Sequence, residues 1–494
     1  VPREESRKAD VVDLKGRPLM PGFCDGHTHL VLAAEQRSGL DLTGVRSLDE
    51  LKRRIRAEAR KKPGEWIVGF GWEMKNLFSA CSPSLSILDD MAIKNPIFLE
   101  SKDAHSAWLN SSALKQALSL ESFPDKCSVQ IIDGTHTGLV FEDTFQLKDL
   151  LVSERPDAEK WPGLQTTVES FFKHGITSIH NFESVAGYRL VASWFENQST
   201  RIRTVWSFMF QDPEELEHNS GLFDEKIPGW LYPGWVKLFL DGSLGSKTAA
   251  LSVPYVNSDN RGLLTMSDDE LEGWAALLDK FHLSAAVHAI GDRAVEMALR
   301  GLGRYREGTA GHRIEHVQIL SKRILDTCSF GGLTFSVQPS HMWGDREIVE
   351  TSLQPDIGER YSYPYRTISN RGGRLVFGSD HPIEVLDPWK GIQAAVTRLA
   401  GPTNAPWNRD EGISLYDAIR AHTGSFSAMG GHRFQAGRLA SGYLADLVVF
   451  NEDPFAVYLD APGSLFGRLR PYLTVLDGSI VYAPLRSKQR SEEQ

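Results

Sequence analysis

The residues with the clearest chemical meaning are His27 and His29, in the run Asp25-Gly26-His27-Thr28-His29 that ends the apolar stretch Leu19-Met20-Pro21-Gly22-Phe23-Cys24. On an extended backbone, residues i and i+2 project to the same face. Both imidazoles can then reach one cation where the strand opens onto a cavity. Four more ionisable residues fall in or at the ends of strand-like runs. Lys237 lies in Trp235-Val236-Lys237-Leu238-Phe239-Leu240-Asp241, His288 ends Ala285-Ala286-Val287-His288, His316 lies in His312-Arg313-Ile314-Glu315-His316-Val317, and Asp380 follows Val376-Phe377-Gly378-Ser379. Each has an ordinary alternative: a hydrogen-bonded core histidine, a snorkelling lysine, or a turn aspartate before His381-Pro382. Their order, on the first, first, fourth, fifth, sixth and eighth predicted strands, is hard to assign to coincidence. Imidazoles and oxygen donors without a thiolate suit zinc and similar divalent ions.

Those strands are eight short β-rich or apolar runs, most followed by a helical pattern: Leu19–Asp25, Ile176–His180, Ile202–Phe208, Val236–Leu240, Ser284–Ile290, Arg313–Val317, Thr334–Gln338 and Arg374–Ser379. Strand–helix alternation predicts a parallel α/β sheet, and eight strands predict a distorted TIM (β/α)8 barrel, which gathers catalytic groups at the C-terminal ends of its strands. Helix starts are signalled locally by Ser267 with Glu270 and by Ser414 with Asp417. The first two strands are separated by far more chain than one crossover needs, so residues 41–160 are predicted to be an insertion that caps the site. It contains a helix capped at Ser47 and the aromatic stretches Gly69-Phe70-Gly71-Trp72 and His105-Ser106-Ala107-Trp108. After about Gly430 the pattern turns to short strands with glycine turns: Gly437–Leu439, Gly442–Phe450 and Thr474–Tyr482. Residues 1–20 with 430–494 are therefore expected to form a small β-sandwich-like satellite, with Asp10–Leu14 as a candidate strand, beside a barrel domain over 21–429. Ser487 to Gln494 are polar and expected to be disordered.

Composition narrows the function classes. The 494 residues are 41% hydrophobic and 24% charged, enough to bury a large core, and the net charge of −10 without a basic cluster argues against nucleic acid as a partner. Four cysteines (Cys24, Cys81, Cys127, Cys328) lack CxxC spacing and read as reduced thiols. No apolar run approaches a membrane span and no signal peptide opens the chain, so a cytoplasmic location without a membrane is the expectation. A homodimer is a candidate assembly.

The series His27-Thr28-His29, Lys237, His288, His316, Asp380 resembles the amidohydrolase superfamily. Val236-Lys237-Leu238-Phe239-Leu240-Asp241-Gly242-Ser243-Leu244-Gly245-Ser246, His288-Ala289-Ile290-Gly291-Asp292-Arg293-Ala294 and Arg313-Ile314-Glu315-His316 are similar to the branch that includes N-substituted formamide deformylases. The resemblance runs from about Met20 to Tyr482. It implies a binuclear metal centre of two divalent ions, zinc by preference, with His27 and His29 on one ion, His288 and His316 on the other, and a CO2-derived carbamate on Lys237 between them. Asp380 would bind the first ion and exchange protons with a metal-bound hydroxide that attacks the carbon–nitrogen bond of a small amide, formamide or cyclic amide. Trp72, His105, Asp241, Gln338 and His341 are candidate substrate contacts. Lys247 stands where the family commonly has arginine, and His381 where a small residue is more usual; both bear on substrate choice. Val1 comes too late for the strands that usually precede the barrel, so the satellite is expected to have unpaired edges.

Two motifs are expected to be decoys. His312-Arg313-Ile314-Glu315-His316 matches an inverted zinc-peptidase motif, which requires a helix, whereas its surroundings alternate like a strand. Gly242-Ser243-Leu244-Gly245-Ser246-Lys247-Thr248 follows a strand like a phosphate loop but has the wrong glycine spacing. The competing functions are a mononuclear deaminase of the same superfamily, against which Lys237 argues, and a catalytically inactive regulatory barrel, against which the retained ligand set argues.

Overall fold

A computed structural model describes residues 11–484 except 79–81, 92, 125–126, 143, 153–155, 304–310, 401–404 and 426–434. The first predicted strand divides at Gly22. Leu19–Pro21 (β1) joins one sheet, and Phe23–Thr28 (β2) opens another. Gly22 N–H donates to Asp446 while Phe23 N–H donates to Gly175, so the chain changes partners within one residue. A Cβ on Gly22 would stand 2.2 Å from Thr177 Oγ1, which leaves room for glycine alone.

Six strands follow β2: Leu40–Asp41 (β3), Ile67–Trp72 (β4), Ile97–Ser101 (β5), Ser106–Leu109 (β6), Ser128–Ile132 (β7) and Thr135–Phe141 (β8). They form a separate sheet in the order β3-β4-β5-β6-β8-β7, parallel over its first three strands and antiparallel beyond. Leu51, Ile55 and Ala59 of the Leu48–Lys61 helix pack with Leu42, Trp72, Leu99 and Trp108 into a core of its own.

Seven strands then complete the barrel with β2: Ile176–Ser184 (β9), Arg203–Met209 (β10), Leu231–Phe239 (β11), Ala285–Ala289 (β12), Arg313–His316 (β13), Thr334–Val337 (β14) and Arg374–Phe377 (β15). All seven pairings in the order β15-β14-β13-β12-β11-β10-β9-β2 are parallel, as strand–helix alternation requires. The ring closes between β2 and the chain beyond β15: Asp380 N–H donates to His27 O at 2.7 Å, and His29 N–H to His381 O at 2.8 Å. Gly378 permits that approach, since a Cβ there would lie 2.4 Å from His27 N. The fold is thus an α/β distorted TIM barrel. Its helices start where the serines indicated: Ser267 with Glu270 forms a full capping box, and Ser47 and Ser414 each accept the N–H three residues on.

The remaining strands, Leu447–Phe450 (β16), Pro471–Leu476 (β17) and Ser479–Tyr482 (β18), form an antiparallel sheet in the order β1-β16-β17-β18. The strand supplied from the front of the chain is Leu19–Pro21, which begins within residues 1–20 and ends at Pro21. Residues 11–14 are not a strand, and Gly437–Leu439 is a loop. Asp10, residue 430 and Ser487–Gln494 lie outside the described residues. No helix among the described residues is long and apolar enough to cross a membrane.

Candidate metal centre

Strand alternation and a set of fixed hydrogen bonds aim the histidines. His27 is buried at the end of β2, and its Nδ1–H donates to Glu315 Oε2 at 2.6 Å. His29 Nδ1–H donates to the Phe182 carbonyl at 2.7 Å, and His316 Nδ1–H to Gln338 Oε1 at 2.8 Å. His288 uses the opposite atom, with Nε2–H donating to the Gly242 carbonyl at 3.1 Å. His27, His288 and His316 therefore each spend one nitrogen on an oxygen acceptor and keep the other as a lone pair, the arrangement by which outer partners orient metal-binding histidines, whereas His29 uses both nitrogens, its Nε2–H donating to Asp380 Oδ1. The rings cluster: His27 to His29 5.4 Å, His27 to His316 5.0 Å and His288 to His316 4.4 Å between centroids. Burial lowers the pKa of His27 to about 4, helped by Lys237, and burial also holds His288 and His316 well below the ordinary imidazole value. All three rings are neutral at neutral pH, the form a metal requires.

Asp380 faces this group. Its Oδ1 is 3.1 Å from His29 Nε2 and 3.6 Å from His27 Nε2. Burial opposes its charge, but His27, His29 and His316 hold the carboxyl well below the usual range. Ligand atoms of His27, His316 and Asp380 all lie within 4.8 Å of one another. His316 (φ 73°), Val317 (φ 44°) and Asp380 (φ 60°) adopt the left-handed region, which costs about 1–3 kcal/mol each and tends to persist at functional sites. The turn at His316 has a purpose: successive residues of a regular strand point to opposite faces, yet Glu315 and His316 both reach His27.

Lys237 on β11 is buried, with Nζ 4.8 Å from the Phe239 ring centroid and 5.1 Å from that of Phe182. Burial lowers its pKa to about 8, against the pull of Glu315 and Asp380, so a usable fraction is neutral amine, the form that reacts with CO2. A divalent cation fits this donor set, because lone-pair nitrogens, a carboxylate and a deprotonatable amine face one enclosed space.

The centre opens into a cavity of about 1810 Å³ shared with the inserted sheet, lined there by Phe70, Met74, Lys102, His105 and Phe141. The two parts are stitched together by Lys102 to Glu384 at 2.5 Å, Ser243 Oγ–H donating to Asp103 Oδ2 at 2.8 Å, and Lys148 to Glu35 at 2.9 Å. His105 reaches inward to 5.5 Å from the His288 ring, held by Glu142 Oε2 at 2.8 Å. Burial opposes its charge, but Glu142 and Asp103 hold its pKa up at about 9.

The other candidate contacts are placed unequally. His341 lines the cavity 3.6 Å from Asp380 Oδ2. Trp72 also lines it, but is wholly enclosed, with its indole N–H given to Leu99 O. Asp241 accepts the N–H groups of Ala250, Ile290 and Gly291, and burial raises its pKa to about 7. Gln338 is spent on His316, behind the centre. Lys247 lines the cavity, whereas His381 contributes backbone to the barrel closure.

Two residues that matter were hidden in the peptidase-like motif. It lies on β13, not on a helix, and its Glu315 joins Arg313 to His27, with Arg313 also bonded to His180 and the Gly26 carbonyl. Period-two alternation within Arg313-Ile314-Glu315 was the available signal. Glu183 is a third: it accepts the N–H groups of Val31 and Leu32 and so fixes the helix that starts beside His29. The phosphate-loop-like run spends Ser243, Ser246 and Thr248 on one another and on Asp103.

Comparison with known proteins agrees with this geometry. The amidohydrolase family profile matches residues 10–482. The chain is 30% identical to Protein LONG AFTER FAR-RED 3 of Arabidopsis thaliana over 89% of this chain and 79% of that protein. It is 23% identical to the N-substituted formamide deformylase of Arthrobacter pascens over 96% and 90%. The crystal structure of an uncharacterized metal-dependent hydrolase from Pyrococcus horikoshii OT3 superposes with a TM-score of 0.73 at 26% identity, covering 92% of this chain and 90% of that one. The chain therefore belongs to the amidohydrolase family, as a metal-dependent hydrolase of carbon–nitrogen bonds.

Proposed function

We propose that the protein hydrolyses small amides, with N-substituted formamides and cyclic amides as the first substrate classes to try. The centre would hold two divalent ions, zinc by preference: His27, His29 and Asp380 for one, His288 and His316 for the other, and a carbamate on Lys237 for both. One observation carries this reading. Three imidazoles, His27, His288 and His316, each have one nitrogen fixed on an oxygen acceptor and the other left free, with His29 bridging the Phe182 carbonyl and Asp380 beside them, around a lysine whose burial shifts it toward the neutral amine. Such ions, when bound, acidify water and polarise a carbonyl. The chain's residues supply the rest. Asp380 takes a proton from the attacking water and returns it to the leaving nitrogen. Phe70, Met74 and Phe141 offer an apolar wall for an N-substituent, and the likeness to a formamide deformylase supports that class.

The tightness of the His27–His316–Asp380 group favours a second reading, a single-ion deaminase with Lys237 left as an amine. Elemental analysis after purification with metal and bicarbonate separates the two: about two ions per chain are expected, and one or none sinks the binuclear reading. Turnover of a panel of N-alkyl formamides, formanilide and cyclic amides tests the substrate class. Lys237→Ala should lose metal and activity and regain part of both with short carboxylic acids. Lys237→Arg should not substitute, because guanidinium stays protonated.

A further inference from the structure

Four histidines at the centre turn a ring N–H toward an oxygen acceptor, and the fifth does the reverse. His341, in the turn after β14, has Nδ1 3.2 Å from Gln318 Nε2, an amide donor. His341 Nδ1 must accept, so the neutral ring carries its proton on Nε2. The second nitrogen agrees, since it faces Asp380 Oδ2 at 3.6 Å, where an N–H is favoured over a lone pair but is too far away to bond. His341 Nε2 is buried and has no hydrogen-bond partner among the described residues. An enclosed N–H left bare costs about 1–3 kcal/mol, a cost relieved if something else binds there. The ring is otherwise well seated, nearly parallel to His316 at 6.3 Å, and Gln318 is buried with its main-chain carbonyl bonded to Tyr363 N–H and its side-chain Oε1 without a hydrogen-bond partner among the described residues.

We propose that His341 is a catalytic hydrogen-bond donor: its Nε2–H binds the carbonyl oxygen of the scissile amide, and Gln318 is the positioning residue that keeps the proton on that nitrogen. The role rests on the amide-hydrolase reading above. As water oxygen bonds to the carbonyl carbon, the π pair moves onto the carbonyl oxygen, and the N–H meets the charge where it develops. When the carbon–nitrogen bond breaks, its electron pair leaves with nitrogen, which takes the proton held by Asp380. His341 gives up no proton at any point. It differs from His27, His288 and His316 in offering a donor instead of a lone pair, so it is not a further metal ligand.

Three measurements on the full-length, metal-loaded protein test this. In 15N-histidine-labelled protein, the signal lost in His341→Asn should report an Nε2–H tautomer, and Gln318→Glu, which supplies an acceptor to Nδ1, should convert it to Nδ1–H. With formanilide, or the best amide of the panel, His341→Asn should lower kcat by about 10²–10³-fold, as removal of a transition-state donor does, with metal content unchanged. Gln318→Glu should approach that loss and Gln318→Met should fall short of it, a difference that a packing role would not produce. An Nδ1–H tautomer in the wild type, metal loss in step with activity in His341→Asn, or an unchanged kcat would each overturn the proposal. If the wild type turns over no amide, the functional reading fails, while the tautomer still decides the state of His341.

Discussion

Glu315 and Glu100 are both fully enclosed carboxylates on strands, one inside the barrel and one in the inserted sheet, and their environments move them in opposite directions. Burial alone raises both. At Glu315 that effect is overcome: Arg313 and His27 bond its two oxygens and hold it well below the carboxylate range. At Glu100 it wins. Neither oxygen has a hydrogen-bond partner among the described residues, and the pKa is pushed up to about 7 although Lys148 lies near. Lys148 donates a hydrogen bond to Glu35, and Glu100 and Glu35 together hold its pKa up against the effect of burial. The barrel pairs its buried charge, whereas the inserted sheet holds a buried acid whose protonated form burial favours. Preorganised charge and neutralised charge are the two ways a fold accommodates a buried carboxylate.

The largest expected effect comes from disabling a carboxylate on the barrel side. Asp380→Asn should lose about 10²–10⁴-fold in kcat while keeping much of its metal, because an amide oxygen can coordinate but cannot relay the proton. Measuring kcat and metal in one preparation decides the matter: parallel loss of both would leave Asp380 a ligand only. The comparison itself breaks with Glu315→Ala. Arg313 is then buried without its counter-charge and His27 loses its acceptor, so stability should fall by about 3–5 kcal/mol in denaturant unfolding. Metal affinity should fall about 10–100-fold in a competition titration. A loss under about 1 kcal/mol would show that Glu315 is not the anchor of this site.

The contrast sharpens through pH. The folded pKa of Glu100 is raised from 4.5 to about 7, so its effect on stability is absent below pH 4.5 and unfavourable above. Stability should decline through that interval, in total by on the order of 3 kcal/mol at 1.36 kcal/mol per unit. Glu100→Gln should flatten this part of the stability–pH curve and leave the variant more stable than wild type at pH 8. An unaltered curve would mean that Glu100 is already ionised and stabilised in the folded protein. The smallest effect is expected from Lys102→Met, which removes one stitch between half-buried Lys102 and Glu384: Tm should drop by a few degrees or less, since Lys390 still bonds the same carboxylate at 2.6 Å. A large loss would make that contact the main hold of the inserted sheet on the barrel.

Local patterns in the chain determined the eight strands, the capped helix starts and the placement of His27, Lys237, His288 and His316 on strands and of His29 and Asp380 just beyond strand ends. Alternation, caps and apolar runs are short-range properties, and the barrel order follows from them because parallel neighbours need a crossover between them. The division of Leu19–Asp25 at Gly22 was not legible, since it depends on Thr177 closing in on a backbone far along the chain. Neither were the roles of Gln338, Glu315 and His341. Residue type marked them as polar and near the site, but whether each orients a ligand, balances a charge or faces the substrate depends on which atom of a distant residue meets each nitrogen or oxygen. Only the folded structure decides that: Gln338 and Gln318 are the same amide, and turning its oxygen toward His316 or its N–H toward His341 makes one ring a lone-pair donor and the other a hydrogen-bond donor.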